Sequence, residues 1–168
     1  EGMLCSATEL GLAEKADGLL ELDGGLKPGL PIAEALQLDD QIFDLKITPN
    51  RADCFCVAGV ARDLAAATGV PFRAPVVAPV AAVIDAVCPV TISSRDDCAV
   101  FVSRVIRDVR SGVQSPFWLR ERLRRSGIRS ISPVVDVTNY VMLELGQPLH
   151  AYDMDTLSGG LSVRRALA

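Results

Sequence analysis

The stretch Ser115-Pro-Phe-Trp-Leu-Arg-Glu-Arg-Leu-Arg-Arg-Ser-Gly127, followed by Val134-Val-Asp-Val-Thr-Asn-Tyr-Val-Met-Leu-Glu-Leu-Gly146, reads as two consecutive helices. Proline at the second position of the first segment suits a helix start, because its fixed φ is helical and its missing N–H is not needed there. Leu119 and Leu123 stand four apart and share one face, which Phe117 and Trp118 enlarge. Arg120, Arg122, Arg124 and Arg125 fill the remaining surface, and Glu121 is placed to pair with Arg125 across one turn. Two readings of this arginine face stay open: a solvated amphipathic helix, or a contact with nucleic-acid phosphates through Arg120 and Arg124. For the second segment, Asp136 is the expected cap of a helix running through Val137, Tyr140 and Val141 to Leu145. Gly146 ends it, and Pro148 prevents its continuation.

Strand-like runs flank this pair. Val90 and Ile92, then Val100, Val102 and Val105, alternate in the β manner around a loop at residues 93–97, and Leu161-Ser-Val163 begins another strand after Gly159-Gly160. The order strand, helix, helix, strand makes residues 89–168 a mixed α/β (α+β) unit. Toward the N-terminus, residues 71–88 form a Pro/Ala/Val-rich connection, expected to lie extended because Pro71, Pro75 and Pro79 fix their own φ angles, with an edge strand as the alternative. Before it, Asp53 is the expected cap of a helix over residues 54–68, closed by Gly69 and Pro71, and Ile42, Leu45 and Ile47 lie in an extended segment. Residues 1–40 hold Pro28-Gly29 and a short helix opened by Pro31 and reaching Leu36, and read as the end of some larger unit.

The 168 residues carry a net charge of −4 that conceals an asymmetry: 15 acidic against 7 basic residues up to position 100, then 6 against 10 beyond it. The basic second part can attract a polyanion, although unevenly placed solubilising charge explains the same numbers. No apolar run approaches the roughly 20 residues that span a bilayer, because Asp85, Pro89 and Arg95 interrupt the most apolar region. The start Glu-Gly-Met shows neither an initiator methionine nor a signal pattern, and reads as processed or excised. Five cysteines, at 5, 54, 56, 88 and 98, suit reduced cytoplasmic thiols. Cys54 and Cys56 are too tightly spaced for the usual zinc pair, and His150 alone does little to complete a ligand set, so no metal site is expected.

His150 is the only histidine, set in a turn behind Gly146 and Pro148. Surface residue, structural hydrogen bonder and catalytic group are all compatible with that position, and Asp153 is a candidate to orient its ring. No Gly-x-Ser-x-Gly elbow, Walker loop, zincin helix, EF-hand or dinucleotide fingerprint occurs.

Several words carry more than periodicity. Glu1-Gly-Met-Leu-Cys-Ser6, Thr48-Pro-Asn-Arg-Ala-Asp-Cys54, Gly59-Val-Ala-Arg-Asp-Leu64, Gly127-Ile-Arg-Ser130, Val134-Val-Asp-Val-Thr-Asn-Tyr-Val141 and Leu145-Gly-Gln-Pro-Leu-His-Ala-Tyr-Asp153 follow one another in that order. In this the chain resembles the beta subunit of bacterial phenylalanyl-tRNA synthetases from residue 1 almost to residue 168. The resemblance implies the tail of an oligonucleotide-barrel-like tRNA-binding module at 1–40 and half of a small helical module at 41–70. It also implies, at 89–168, the first part of the editing domain that hydrolyses tyrosine wrongly attached to phenylalanine tRNA.

The resemblance further implies a cytoplasmic ligase, an α2β2 heterotetramer whose alpha subunit handles ATP and Mg2+, and no cofactor bound by this fragment. His150 and Pro148 would border the editing pocket, with Arg129 and Gln147 as substrate-binding candidates and Asn139 holding the local backbone. For His150, positioning is preferred over general-base catalysis. The family's acidic partner for the tyrosine hydroxyl lies downstream, so the isolated fragment is expected to lack useful editing. Its alternative role is a noncatalytic tRNA-binding or subunit-scaffolding piece. Where the family has Cys-Pro-Arg-Tyr or a close variant, this chain reads Cys98-Ala-Val-Phe101, so no substrate contact is assigned to that run.

Overall fold

The computed structural model describes residues 3–22, 24–110 and 112–166. The chain divides into two units, Glu1–Phe43 and Asp44–Ala168. The first is mostly turns. Ser6 and Glu9 cap one another reciprocally: the Ser6 amide and hydroxyl both donate to the Glu9 carboxylate at 2.7 and 2.9 Å, and the Glu9 amide donates back to Ser6 Oγ at 3.3 Å. The one-turn helix α1 (Ile32–Ala35) follows Pro31, with Leu36 buried just beyond it.

The second unit holds α2 (Val57–Thr68), β1 (Val90–Ile92), α3 (Phe117–Arg125), α4 (Pro133–Leu145) and β2 (Leu161–Val163), with 3-10 turns at Ala52–Cys54 and Met154–Thr156. This is the mixed α/β arrangement expected from the sequence. The two strands pair in parallel, Val90 with Leu161 through Ile92 with Val163, and the segment bearing α3 and α4 forms the crossover that parallel pairing requires. The ladder is extended at both ends by Leu161 N–H to Pro89 O (2.8 Å) and Ser93 N–H to Val163 O (2.9 Å). Arg165 then clamps the far end, bonding Asp97 through both Nε and an Nη at 2.6 and 2.8 Å. Helix α4 is central, with α2 and α3 both packed against it. Leu119 and Leu123, the pair expected to face a core, are the most buried apolar side chains of α3, and Trp118 meets Tyr140 of α4 edge-on with centroids 5.4 Å apart. Among the described residues no helix is long and apolar enough to cross a membrane.

Three expectations need correction. Asp53 does not cap α2: its carboxylate is held by Arg51 at 3.2 Å within the 3-10 turn, and the N-cap is Cys56, whose sulfur accepts from Gly59 N–H at 3.3 Å. Asp136 does not cap α4 either. The helix begins a turn earlier, with Ser132 as N-cap and Pro133 opening it, so Asp136 falls inside the first turn with its side chain fully buried. The alternating run at Val100, Val102 and Val105 forms no strand among the described residues: Val100 and Val102 are largely exposed, and no neighbouring backbone completes a ladder. The connection at 71–88 is free of helix and strand and mostly exposed. Both helix-ending glycines behave as expected, Gly69 and Gly146 taking left-handed φ values of 73° and 77°.

Candidate functional site

The link between α3 and α4 is the most tightly specified backbone near the expected site residues. Helix α3 ends in a Schellman turn: Gly127 (φ 76°) donates to Arg124 O at 3.0 Å, and Ile128 donates to Leu123 O at 2.8 Å. Two residues later the chain is fastened again. Ser130 Oγ donates to Asp136 Oδ2 at 2.6 Å, and the Ile131 amide donates to Asp136 Oδ1 at 2.8 Å. From 21 residues away, the buried hydroxyl of Ser115, just ahead of α3, donates to the same Oδ2 at 2.5 Å. Burial alone would push the Asp136 carboxyl up. The hydrogen bonds from Ser115, Ser130 and the amides of Ile131 and Ser132 outweigh it together and hold the group below the ordinary carboxylate range.

Between these two fastenings stands Arg129, exposed, with no hydrogen-bond or ion-pair partner among the described residues. Beside it Gln114, Ser115, Arg120, Ser130, Ile131 and Ser132 line an open cavity of about 270 Å³, with Val113 at its edge. Arg120 Nε is buried there without a hydrogen-bond partner among the described residues, while the guanidinium carbon lies 5.9 Å from the centre of the Phe117 ring. Arg124, the other arginine considered for phosphate contact, is differently placed. Its Nε and an Nη grip Glu121 at 3.0 and 2.9 Å, and Arg125 reaches the same carboxylate at 3.4 Å. That contact with Arg124, opposed by partial burial, holds the Glu121 carboxyl below its usual range.

At the other end of α4, the loop after Gly146 carries the remaining candidates. Gln147 Nε2 donates to Pro148 O at 3.1 Å, turning the amide back on its own loop. His150 is exposed and leans on Tyr152, the ring centroids 6.2 Å apart and tilted by 37°. Asp153 does not orient His150: its Oδ1 accepts from the Asp155 amide at 3.1 Å and caps the Met154–Thr156 turn. Asn139 is half-buried on α4, and its side chain makes no hydrogen bond to the local backbone among the described residues. Arg129 leads into α4 and His150 follows it, so the two candidate regions flank a 13-residue helix, about 20 Å long at 1.5 Å per residue. No described contact joins them. Sequence reasoning singled out Arg129 and His150 but missed Ser115 and Ser130, and took Asp136 for a cap. An acid inside the apolar run Val134-Val-Asp-Val137, with serines at 130 and 132, was the available signal.

The geometry gives a mixed α/β layer that presents an exposed histidine loop and an arginine with clamped flanks and no hydrogen-bond or ion-pair partner among the described residues. Residues 97–168 match the B3/4 domain family. Over almost its whole length the chain is also similar to proteins described as phenylalanine–tRNA ligase beta subunits. Identity is 55% over 163 residues with that of Nitrosococcus oceani, covering 97% of this chain and 21% of the relative. It is 53% over 165 residues with that of Bordetella pertussis (98% and 20%), and 48% over 166 residues with that of Photorhabdus laumondii (99% and 21%). The chain belongs to the family of bacterial phenylalanine–tRNA ligase beta subunits and spans about a fifth of the length of these relatives.

Proposed function

We propose that this chain is the part of a phenylalanine–tRNA ligase beta subunit that supplies one face of a hydrolytic editing site, acting on tyrosine esterified to the 3′ end of phenylalanine tRNA. Its partner is an alpha subunit, in an α2β2 assembly where ATP and Mg2+ serve aminoacylation. The observation that carries this reading is the near-continuous likeness to beta subunits, which runs through both the Arg129 and the His150 segments. Hydrolysis of an aminoacyl ester needs a water held against the carbonyl and stabilisation of the oxyanion and the departing ribose oxygen. Positioned hydrogen-bond donors can supply both. Arg129 offers a guanidinium not committed to any carboxylate among the described residues, and His150 offers a ring whose two nitrogens are free of described protein partners. Rejection of phenylalanine requires a polar partner for the tyrosine hydroxyl, left unpaired when phenylalanine binds.

The test is deacylation of tyrosyl-tRNA by the intact synthetase carrying His150→Ala. Loss of a positioning group from the reacting centre is expected to lower the rate by about 10²-fold, with aminoacylation unaffected. Deacylation at the parental rate would remove His150 from the pocket.

Within the same reading Arg120 is the candidate for a tRNA-phosphate contact, since no described carboxylate holds its guanidinium whereas Arg124 is gripped by Glu121. Arg120→Ala is therefore expected to weaken tRNA binding and reduce the slope of log affinity against log salt by about 1, with Arg124→Ala changing it less. Equal slopes for parent and Arg120→Ala would return this helix face to ordinary surface charge.

A further inference from the structure

We propose that Asp136 is the positioning residue for Arg129, setting where its guanidinium stands by clamping the backbone immediately after it. This rests on the reading above, in which Arg129 meets the substrate. The residue before Arg129 is fixed by Ile128 N–H to Leu123 O, and the two after it are fixed by Ser130 Oγ and Ile131 N–H on the two oxygens of one buried carboxylate. Arg129 thus sits in a single-residue gap between a helix cap and an anchor, although its own side chain makes no hydrogen bond or ion pair among the described residues.

A long, exposed side chain on a free loop would lose much rotamer and backbone freedom when it engages a ligand. Fixing the backbone in advance removes the larger part of that loss. The Ser115 bond adds the remaining constraint, tying the anchor to the start of α3, so both flanks of Arg129 are referred to one helix. Burying a carboxylate costs stability unless its acceptors are filled, and here the donors come from the segments whose relative placement decides where Arg129 points. A purely structural role for Asp136, holding α3 on α4, would use the same bonds but would leave the action of Arg129 untouched.

A double-mutant cycle in the intact synthetase separates the two. Ser130→Ala removes one anchor and leaves the Ile131 and Ser115 bonds in place. Its kcat/KM for tyrosyl-tRNA deacylation is expected to fall on the order of tenfold, with aminoacylation unchanged. In an Arg129→Ala background the same substitution is expected to cost nothing further, because the group it positions is gone. Asp136→Asn, close in shape, should show the same loss and the same coupling; if that variant does not fold, Ser130→Ala still decides. A tenfold cost that persists undiminished without Arg129, or no cost in Ser130→Ala with Arg129 present, overturns the positioning role alone. Unchanged deacylation in Arg129→Ala overturns both that role and Arg129's place in the site.

Discussion

Gly59→Ala is expected to destabilise the second unit by at least about 2 kcal/mol, opposite in sign to what helix propensity predicts. Alanine inside a helix is favoured over glycine by about 1 kcal/mol, so an exposed Gly59 on α2 would be improved by the change. Gly59 is instead the point where α2 meets the turn before it. A Cβ there would fall inside the van der Waals envelope of the Asp53 carbonyl oxygen, 2.6 Å from the carbonyl carbon and 3.1 Å from Cys54 Cα. All three atoms are backbone and cannot swing aside, so the Ala52–Cys54 turn must move. With it would go the Cys56 cap, whose sulfur accepts from the Gly59 amide and lies against Gly146 at the end of α4. Overpacking of this kind costs about 1–3 kcal/mol and more when backbone must shift. Gly69→Ala provides the contrast: nothing lies within 4 Å of a Cβ there, and only the left-handed φ of 73° is penalised, by about 1–2 kcal/mol. Thermal unfolding of the two variants checks this, and a Gly59→Ala protein as stable as the parent would refute the close approach.

The same junction shows where reading a sequence stops. Leu119 and Leu123 announced a buried face, and Gly69 and Gly146 announced helix ends, because each signal is local and depends on spacing or on one residue's φ preference. Asp53 and Asp136 both misled as caps. A capping preference says that a carboxylate suits a helix start, but not which residue starts the helix, and Pro133 opens α4 a turn before Asp136; nor does it say what else reaches the carboxylate. Arg51 claims Asp53 from two residues away, and Ser115 claims Asp136 from 21. The Val100, Val102, Val105 alternation has the same limit, since a strand needs a neighbour and the pattern does not supply one. In the candidate site, ordered words point to Arg129 and His150, yet the clamp on the backbone around Arg129 joins residues no short window contains.

Asp136→Ala tests that clamp as a source of stability, and its effect should depend on pH. Removing the carboxylate leaves the buried Ser115 hydroxyl, the Ser130 hydroxyl and the Ile131 amide without their acceptor. A buried unsatisfied donor costs about 1–3 kcal/mol; Ser115 is buried, while Ser130 and Ile131 can recover part of their hydration, so a total loss of about 2–4 kcal/mol at neutral pH is expected. Because the folded pKa lies below the ordinary value of 3.8, the unfolded chain takes up this proton first as pH falls. The contribution is therefore complete above about pH 5 and declines as pH drops through 3.8 toward the folded pKa. Asp53, Asp97 and Glu121 are also held below their ordinary values, by Arg51, Arg165 and Arg124 respectively, so the parent loses stability in acid from those groups as well. They are common to parent and variant and cancel in the difference. The gap in urea midpoint between parent and Asp136→Ala should accordingly be wide at pH 7 and narrow by pH 3. A gap that stays constant across that range would mean that the protonated carboxyl satisfies the three donors as well as the ionised one.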